Sequence, residues 1–145
     1  MIELKADYFD NMLRAKKAYA HVIDPICKKW NLARNELDIL LFLHNNPGDN
    51  RASDIVTKRG IAKSHVSMSV SNLEKRGLIR RQTDPKDRRS EHLILSQSAH
   101  EIAMEGRNAQ ECFFHKLYAG LTPEEISQWK GIIVKVNHNI AIMEV

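Results

Sequence analysis

The sequence has little of what several classes of protein depend on. Its two cysteines, Cys27 and Cys112, stand far apart, which excludes a disulfide framework. No apolar run approaches the roughly 18 residues that a bilayer-spanning helix requires, so no membrane association is expected. The opening residues, MIELKADYFDNML, include acids and lack the apolar centre of a signal peptide, which predicts a cytoplasmic protein.

Motifs of the common catalytic classes are also missing. The sequence contains no nucleophile elbow, phosphate-binding loop or HExxH motif, and it has no internal repeat or low-complexity tract. We therefore expect a protein that is not an enzyme and that needs no cofactor. The apolar fraction of 43% and the charged fraction of 28% are those of a globular chain, and 145 residues fit one domain.

The middle of the sequence is rich in basic residues. Residues 51–89 contain eleven lysines and arginines against four acids, a balance of +7, so the rest of the chain carries −3 of the net +4. A basic centre between mildly acidic ends indicates a localised surface for a polyanion. The alternative is a solvated surface on which the bases cluster by chance.

The order of the predicted elements indicates the fold. Apolar spacing and turn residues predict helices at 7–30, 34–44, 52–59 and 62–76, then strands at 78–82 and 91–96. A fifth helix begins after Ser96 or Ser98, and Thr122 caps a sixth. A short helix, a glycine turn, a second helix and a hairpin make a winged helix-turn-helix. The predicted class is therefore mainly α, with a small β-hairpin wing.

The fourth predicted helix has the residue types of a helix that reads DNA bases. Val66, Val70 and Leu73 form one apolar stripe that can dock on the body of the protein. Serine forms helices poorly, so serines on the other face are better explained by close approach to a DNA groove than by stability. The candidate contacts on this helix are Lys63, Ser64, His65, Ser67, Met68 and Ser71. The alternative is an ordinary solvated face.

The predicted hairpin ends in DPKDRRS, with three bases at its exposed tip. Charge on such a loop adds little folding stability, so Lys86, Arg88 and Arg89 are expected to meet an outside partner, the DNA backbone and minor groove. Arg81 on the first strand is a further candidate contact. Asp87 either orients Arg89 or accepts a hydrogen bond from a neighbouring backbone N–H.

The segment LEKRGLIRRQTDPKDRRSEHLILS resembles the MarR family of transcriptional regulators. It has a leucine-glutamate-x-x-glycine helix end, an aspartate-x-arginine wing and an alternating strand, and the helices on both sides also fall where that family has them. The resemblance implies that Ser64, His65, Ser67 and Met68 match the base-reading face and that Arg89 is the wing arginine.

The same resemblance implies an assembly and a function. Residues 31–97 would form the winged lobe of a single 1–145 domain, and residues 1–30 and 98–145 would hold a homodimer on a pseudo-palindromic double-stranded DNA operator. A small ligand would relieve repression. The apolar residues of the last helix, which fit a subunit interface, are Ile126, Trp129, Ile132, Ile133, Val136, Ile140 and Met143. An adaptor that kept the fold without binding an operator is the alternative.

Three residues allow a metal site, although we do not expect one. Cys112 and His115 are one helical turn apart, and His138 lies on the next helix, so zinc is a possible ligand. Redox sensing by Cys27 or Cys112 would require a cationic, partly exposed thiol. Inert packing of both cysteines is the favoured interpretation.

Overall fold

The computed structural model of the protein describes residues 4–143, and for residues 4–6 the backbone only. Its elements are α1 (Leu4–Trp30), α2 (Arg34–Asn45), α3 (Ala52–Arg59), α4 (Lys63–Lys75), β1 (Ile79–Thr83), β2 (Glu91–Leu95), α5 (Gln97–Leu117) and α6 (Pro123–Met143). The predicted fold class is confirmed. Residues 1–3 and 144–145, which belong to the predicted dimerisation segments, lie outside the described residues.

The chain divides into two compact units, one ending at Glu111 and one beginning at Cys112, and α5 runs from the first into the second. The first unit contains the whole predicted winged lobe. None of the helices among the described residues is long and apolar enough to cross a bilayer.

The first unit is built around α2. Leu37 and every residue from Ile39 to Leu43 are buried. These residues lie on more than one face of the helix, because α2 is surrounded by other elements. Its four leucines, Leu37, Leu40, Leu41 and Leu43, are all among them. The other buried apolar side chains are Ile23, Leu32, Ile55, Val66, Val70, Leu73, Leu78, Ile79, Leu93, Ala99, Ile102 and Ala103.

Helix α5 packs closely against α2 within this unit. A Cβ built on Gly106 would lie 2.9 Å from Cδ2 of the buried Leu41, so only a residue without a side chain fits that position without a shift. Of the two predicted caps for α5, the structure selects Ser96, whose Oγ accepts the Ala99 N–H at 3.1 Å. The alternative cap, Ser98, is wrong, because Ser98 already lies inside the helix.

Two helices in the first unit are followed by a glycine with a positive φ angle. Gly60 ends α3 with φ 66°, and Gly77 follows the end of α4 with φ 71°, a left-handed conformation that other residues resist. Both strands of the hairpin differ from their predicted bounds by one residue. They pair antiparallel, from Ile79 opposite Leu95 to Thr83 opposite Glu91.

The second unit contains the end of α5 and the whole of α6. Thr122 and Glu125 form the predicted capping box: the Thr122 Oγ1 accepts the Glu125 N–H at 3.1 Å, and Glu125 accepts the Thr122 N–H at 2.8 Å. No residue of α6 is buried. Of its predicted apolar face, Ile126, Ile133 and Val136 are half-buried, whereas the other members, Trp129, Ile132, Ile140 and Met143, are exposed.

Candidate nucleic-acid interface

Helix α4 presents most of the predicted contact residues to solvent. Val66, Val70 and Leu73 are buried, as the predicted stripe requires, and this fixes the rotation of the helix about its axis. The predicted contacts that are exposed are Lys63, Ser64, His65, Ser67 and Met68. Ser71 is only half-buried, so it is less accessible than the other predicted contacts. Ser69, which the stripe did not include, is buried.

The first turn of α4 is open to an anion. Its N-cap, Ala62, has no side chain that can accept a hydrogen bond, and the first turn contains no acid. The first backbone N–H groups of a helix have no partner within the helix and carry a partial positive charge. In α3, by contrast, Asp54 accepts the Arg51 N–H at 3.1 Å. The positive end of the α4 dipole and the exposed ammonium of Lys63 therefore both lie at the start of this helix, where they favour an anion.

The wing loop, residues 84–90, is held by its own backbone. The Asp84 N–H donates to the Ser90 carbonyl at 2.9 Å, and the Ser90 N–H donates to the Asp87 carbonyl at 3.0 Å. Asp87 Oδ1 accepts the backbone N–H of Arg89 at 3.0 Å. Of the two predicted roles for Asp87, the structure therefore selects the backbone acceptor.

The three cations of this loop are exposed. Among the described residues, none of the side chains of Lys86, Arg88 and Arg89 forms an ion pair or a hydrogen bond with the protein. Cations that no acid neutralises create a positive potential at the tip of the hairpin.

Arg81 has a different setting from the loop cations. Its guanidinium lies 3.1 Å from a Glu74 carboxylate oxygen and 3.3 Å from one of Glu91. The two ion pairs tie the first strand of the wing to the end of α4 and to the second strand. Arg81 is thus placed at the predicted site, but its charge is already balanced by two acids.

Arg81 also lines a cleft of about 310 Å³ between the helix-turn-helix and the wing. Its walls include the exposed Ser67 and Lys63 of α4, while Val66 and Val70 form its apolar floor. The remaining lining residues are Ala52, Ser53, Val56 and Thr57 of α3.

The base of the wing contains a side-chain network that the sequence did not reveal. The His92 ring lies between two oxygen atoms, with Nε2 2.9 Å from Asp84 Oδ2 and Nδ1 2.6 Å from Asn50 Oδ1. Arg51 reaches the same Asp84 oxygen at 3.3 Å. A hydrogen bond from the Lys86 N–H, and then one from His92, hold the pKa of Asp84 below its ordinary value.

Arg76 joins the end of α4 to the end of α1. Its two Nη atoms donate to the carbonyls of Asn31 and Trp30, each at 2.7 Å. Trp30 is the last residue of α1 and Asn31 follows it directly, so no intrahelical donor is left for these carbonyls. The only sequence signal for this contact was a basic residue near a helix end, which does not identify a partner 45 residues away.

The remaining predicted candidates stay apart from this surface. Burial raises the pKa of the half-buried Cys27 thiol, which agrees with inert packing. Cys112 is exposed, so the prediction that it packs inertly within the chain is wrong. Within residues 4–143, no three His, Cys, Asp or Glu side chains, and so not Cys112, His115 and His138, lie close enough together to hold a metal ion.

A histidine pair lies between α2 and α5, outside the wing loop. The Nδ1 atoms of His44 and His100 are 2.9 Å apart, so one ring must donate and the other accept. Burial, and then the neighbouring His100 and the positive charge of Arg107, lower the pKa of His44 from its ordinary value of 6.5.

Comparison with known proteins gives the same fold throughout. Residues 30–90 match the sequence model of the MarR family. A MarR-family regulator from Listeria monocytogenes, complexed with 26mer DNA, is similar over 92% of this chain and 88% of its own, with 22% identity and a TM-score of 0.81. MepR from S. aureus in a DNA complex is 21% identical over 92% of this chain and 96% of its own, with a TM-score of 0.74.

A third similar structure contains a small molecule. It is the organohalide-sensing regulator RdhR in its 2,4-dichlorophenol-bound form, which is 21% identical over 96% of this chain and 82% of its own, with a TM-score of 0.71. At this level of identity the three structures show the fold alone, and the match to the family model covers residues 30–90.

Proposed function

We propose that the chain, whose residues 30–90 match the sequence model of the MarR family, is a transcriptional regulator of that family and binds double-stranded DNA. The single observation that carries this proposal is the wing loop, whose three cations, Lys86, Arg88 and Arg89, have no acidic partner among the described residues. Exposed cations that lack an acidic partner contribute little to the stability of the fold. They suit the phosphates and the minor groove of DNA.

The exposed face of α4 supports the reading of sequence. Ser64 and Ser67 are short and polar, so the helix backbone can approach base edges in a major groove. Lys63 and the open helix start suit a phosphate beside that groove. Arg81, already paired with two acids, is proposed to brace the wing rather than to contribute a full charge to DNA.

A DNA-binding assay with matched serine variants tests this role. Ser67→Leu should abolish discrimination between target and unrelated fragments in a genomic binding experiment with sequencing, because a bulky side chain keeps α4 out of the groove. Ser98→Leu, at an exposed serine of α5, is the control and should leave discrimination unchanged. Weak retention of all fragments by the wild type, with no preferred sequence, would favour the adaptor alternative instead.

The regulator is further proposed to act as a homodimer on a pseudo-palindromic operator. Two separate groups of exposed apolar side chains support this proposal. One is in α1: Tyr8, Phe9, Met12 and Leu13. The other is in the second unit: Phe114, Leu117, Leu121, Trp129, Ile132, Val134, Ile140, Ile142 and Met143. Large apolar side chains left exposed in such numbers are typical of a subunit interface.

The mass in solution tests the dimer. Light scattering at micromolar concentration should give about twice the chain mass of 16.7 kDa. A monomer under these conditions would contradict the assignment of both apolar groups to an interface.

Repression relieved by a small ligand is the last part of the proposal. A ligand can release DNA only if it binds the DNA-incompetent state more tightly than the competent one. The structural similarity to RdhR, which was crystallised with 2,4-dichlorophenol, makes chlorinated phenols the first compounds to test. The measurement is release of a labelled operator by the compound. Release by none of them would leave a regulator without this class of effector.

A further inference from the structure

One side chain outside the wing loop, His92, links that loop to the rest of the first unit. His92 is the second residue of β2 and is half-buried. Its two ring nitrogens point in opposite directions, one to Asp84, where the wing loop begins, and one to Asn50, in the turn before α3. The ring therefore links the loop to the helix-turn-helix.

Asp84 transmits this link to the loop backbone. One of its carboxylate oxygens accepts from His92 and from Arg51, while the other accepts the Lys86 N–H at 2.8 Å. The position of the carboxylate thus sets the path of the chain at the first cation of the loop. Arg51 is also the N-cap residue of α3, so both partners of that oxygen are anchored outside the loop.

A second, independent bond keeps the strand in place without the ring. The backbone N–H of Leu93 donates to the Asn50 carbonyl at 2.8 Å, and Leu93 itself is buried. Loss of the His92 side chain should therefore leave β2 attached to the body of the unit. What would be lost is the shorter of the two side-chain bonds that orient Asp84, which leaves only the Arg51 bond at 3.3 Å to hold that oxygen.

We propose that His92 is a positioning residue for the wing: through Asp84 it holds the loop in the orientation in which Lys86, Arg88 and Arg89 meet DNA. This inference rests on the proposed DNA-binding function and adds to it a residue that does not touch DNA. Its physical basis is preorganisation, since a loop that is already in its bound orientation loses less conformational freedom on binding.

The test is a double-mutant cycle that compares His92→Ala in two backgrounds. In the wild-type background the variant should weaken binding to the target duplex by about tenfold, because both wings of a dimer lose their orientation. In a background with Lys86, Arg88 and Arg89 all changed to Ala, the same substitution should change affinity less than about twofold, since the wing then has no charge to position.

Two further variants separate positioning from folding. His92→Gln keeps an N–H donor that can reach Asp84 and should restore binding to within about twofold of the wild type. His100→Ala, which removes a half-buried histidine outside the wing, should leave the affinity and its salt dependence unchanged. Thermal unfolding of each variant shows how much of any loss comes from stability.

The outcomes are distinguishable. An equal loss of affinity from His92→Ala in both backgrounds, or no loss in either, overturns the inference. If Arg89→Ala still weakens binding to the target duplex in that case, the proposed function stands. A wild-type protein that prefers no DNA sequence overturns the proposed function, and the inference with it.

Discussion

Arg89→Ala isolates the contribution of one wing cation to DNA binding. The Arg89 side chain is exposed and forms no ion pair within the described part of the chain, while its backbone N–H is held by Asp87. The substitution keeps that N–H, so the loop should retain its shape. Folding stability should change by less than about 0.5 kcal/mol, the usual effect of a change at an exposed position.

The expected change in binding follows from counterion release. Each phosphate that a protein neutralises adds about 0.9 to the slope of log K against log salt. With one Arg89 in each wing of the proposed dimer, the substitution should flatten the slope by about 1.8. Between about 50 and 200 mM salt, the wild type should therefore lose about 12-fold more affinity than the variant does.

The assay is fluorescence anisotropy of a labelled target duplex across a salt series. Arg14→Ala is the matched control, because it removes the same charge from an exposed position on α1, away from the wing. If Arg89 enters a minor groove, the variant should also lose more affinity for A·T-rich than for G·C-rich flanks. Unchanged slope in Arg89→Ala would refute the wing contact, and equal flattening by Arg14→Ala would show an effect of net charge alone.

Three further outcomes concern stability and assembly. Gly106→Ala should lower stability in urea unfolding, because overpacking against Leu41 costs about 1–3 kcal/mol and outweighs the roughly 1 kcal/mol gained in helix propensity. Gly131→Ala is the control: its new methyl group meets open space in the described chain, so it should raise stability. Deleting residues 121–145 should cause aggregation or unfolding, and a soluble folded monomer would contradict the interface. Because the pKa of His44 is lowered in the folded state, its contribution to stability should be fully present above about pH 6.5 and should decline as the pH falls. His44→Gln should reduce that decline, and parallel pH profiles of the variant and the wild type would exclude this role.

The sequence predicted the elements of the fold well where the signal is local. The bounds of α3 are those predicted, because Gly60 takes the left-handed conformation that ends the helix. The stripe of α4 gave the correct rotation, since three apolar residues at helical spacing have one way to be buried together. The cap of α5 remained open between two serines, because the choice depends on where the preceding strand ends.

Contacts between distant residues could not be predicted in this way. His92 and Asn50 are 42 residues apart, and neither the alternation of β2 nor the turn before α3 identifies the other as its partner. Charge alone predicts a DNA contact for Arg81, whereas the acids that pair with it lie on α4 and on the opposite strand. Such pairs become visible only when the elements that bear them are packed.

Packing also divides the bases of residues 51–89 into those with a partner within the protein and those without one. Of the eleven bases in residues 51–89, five are held within the protein: four by acids and one by the carbonyls at the end of α1. They are Arg51, Lys58, Arg59, Arg81 and Arg76. The bases at the open start of α4 and in the wing loop, Lys63, Lys86, Arg88 and Arg89, have no such partner among the described residues.

This division predicts the total salt dependence of binding. If all eleven bases met phosphates in both subunits of the proposed dimer, the slope of log K against log salt would be about −20. The six bases that are not held set a limit of about −11, and the four at the start of α4 and in the wing loop give about −7. A measured slope near −7 would show that the internal ion pairs persist on DNA. A slope steeper than −11 would mean that paired arginines leave their acids for phosphates, and the structure of the free protein would then underestimate the contact surface.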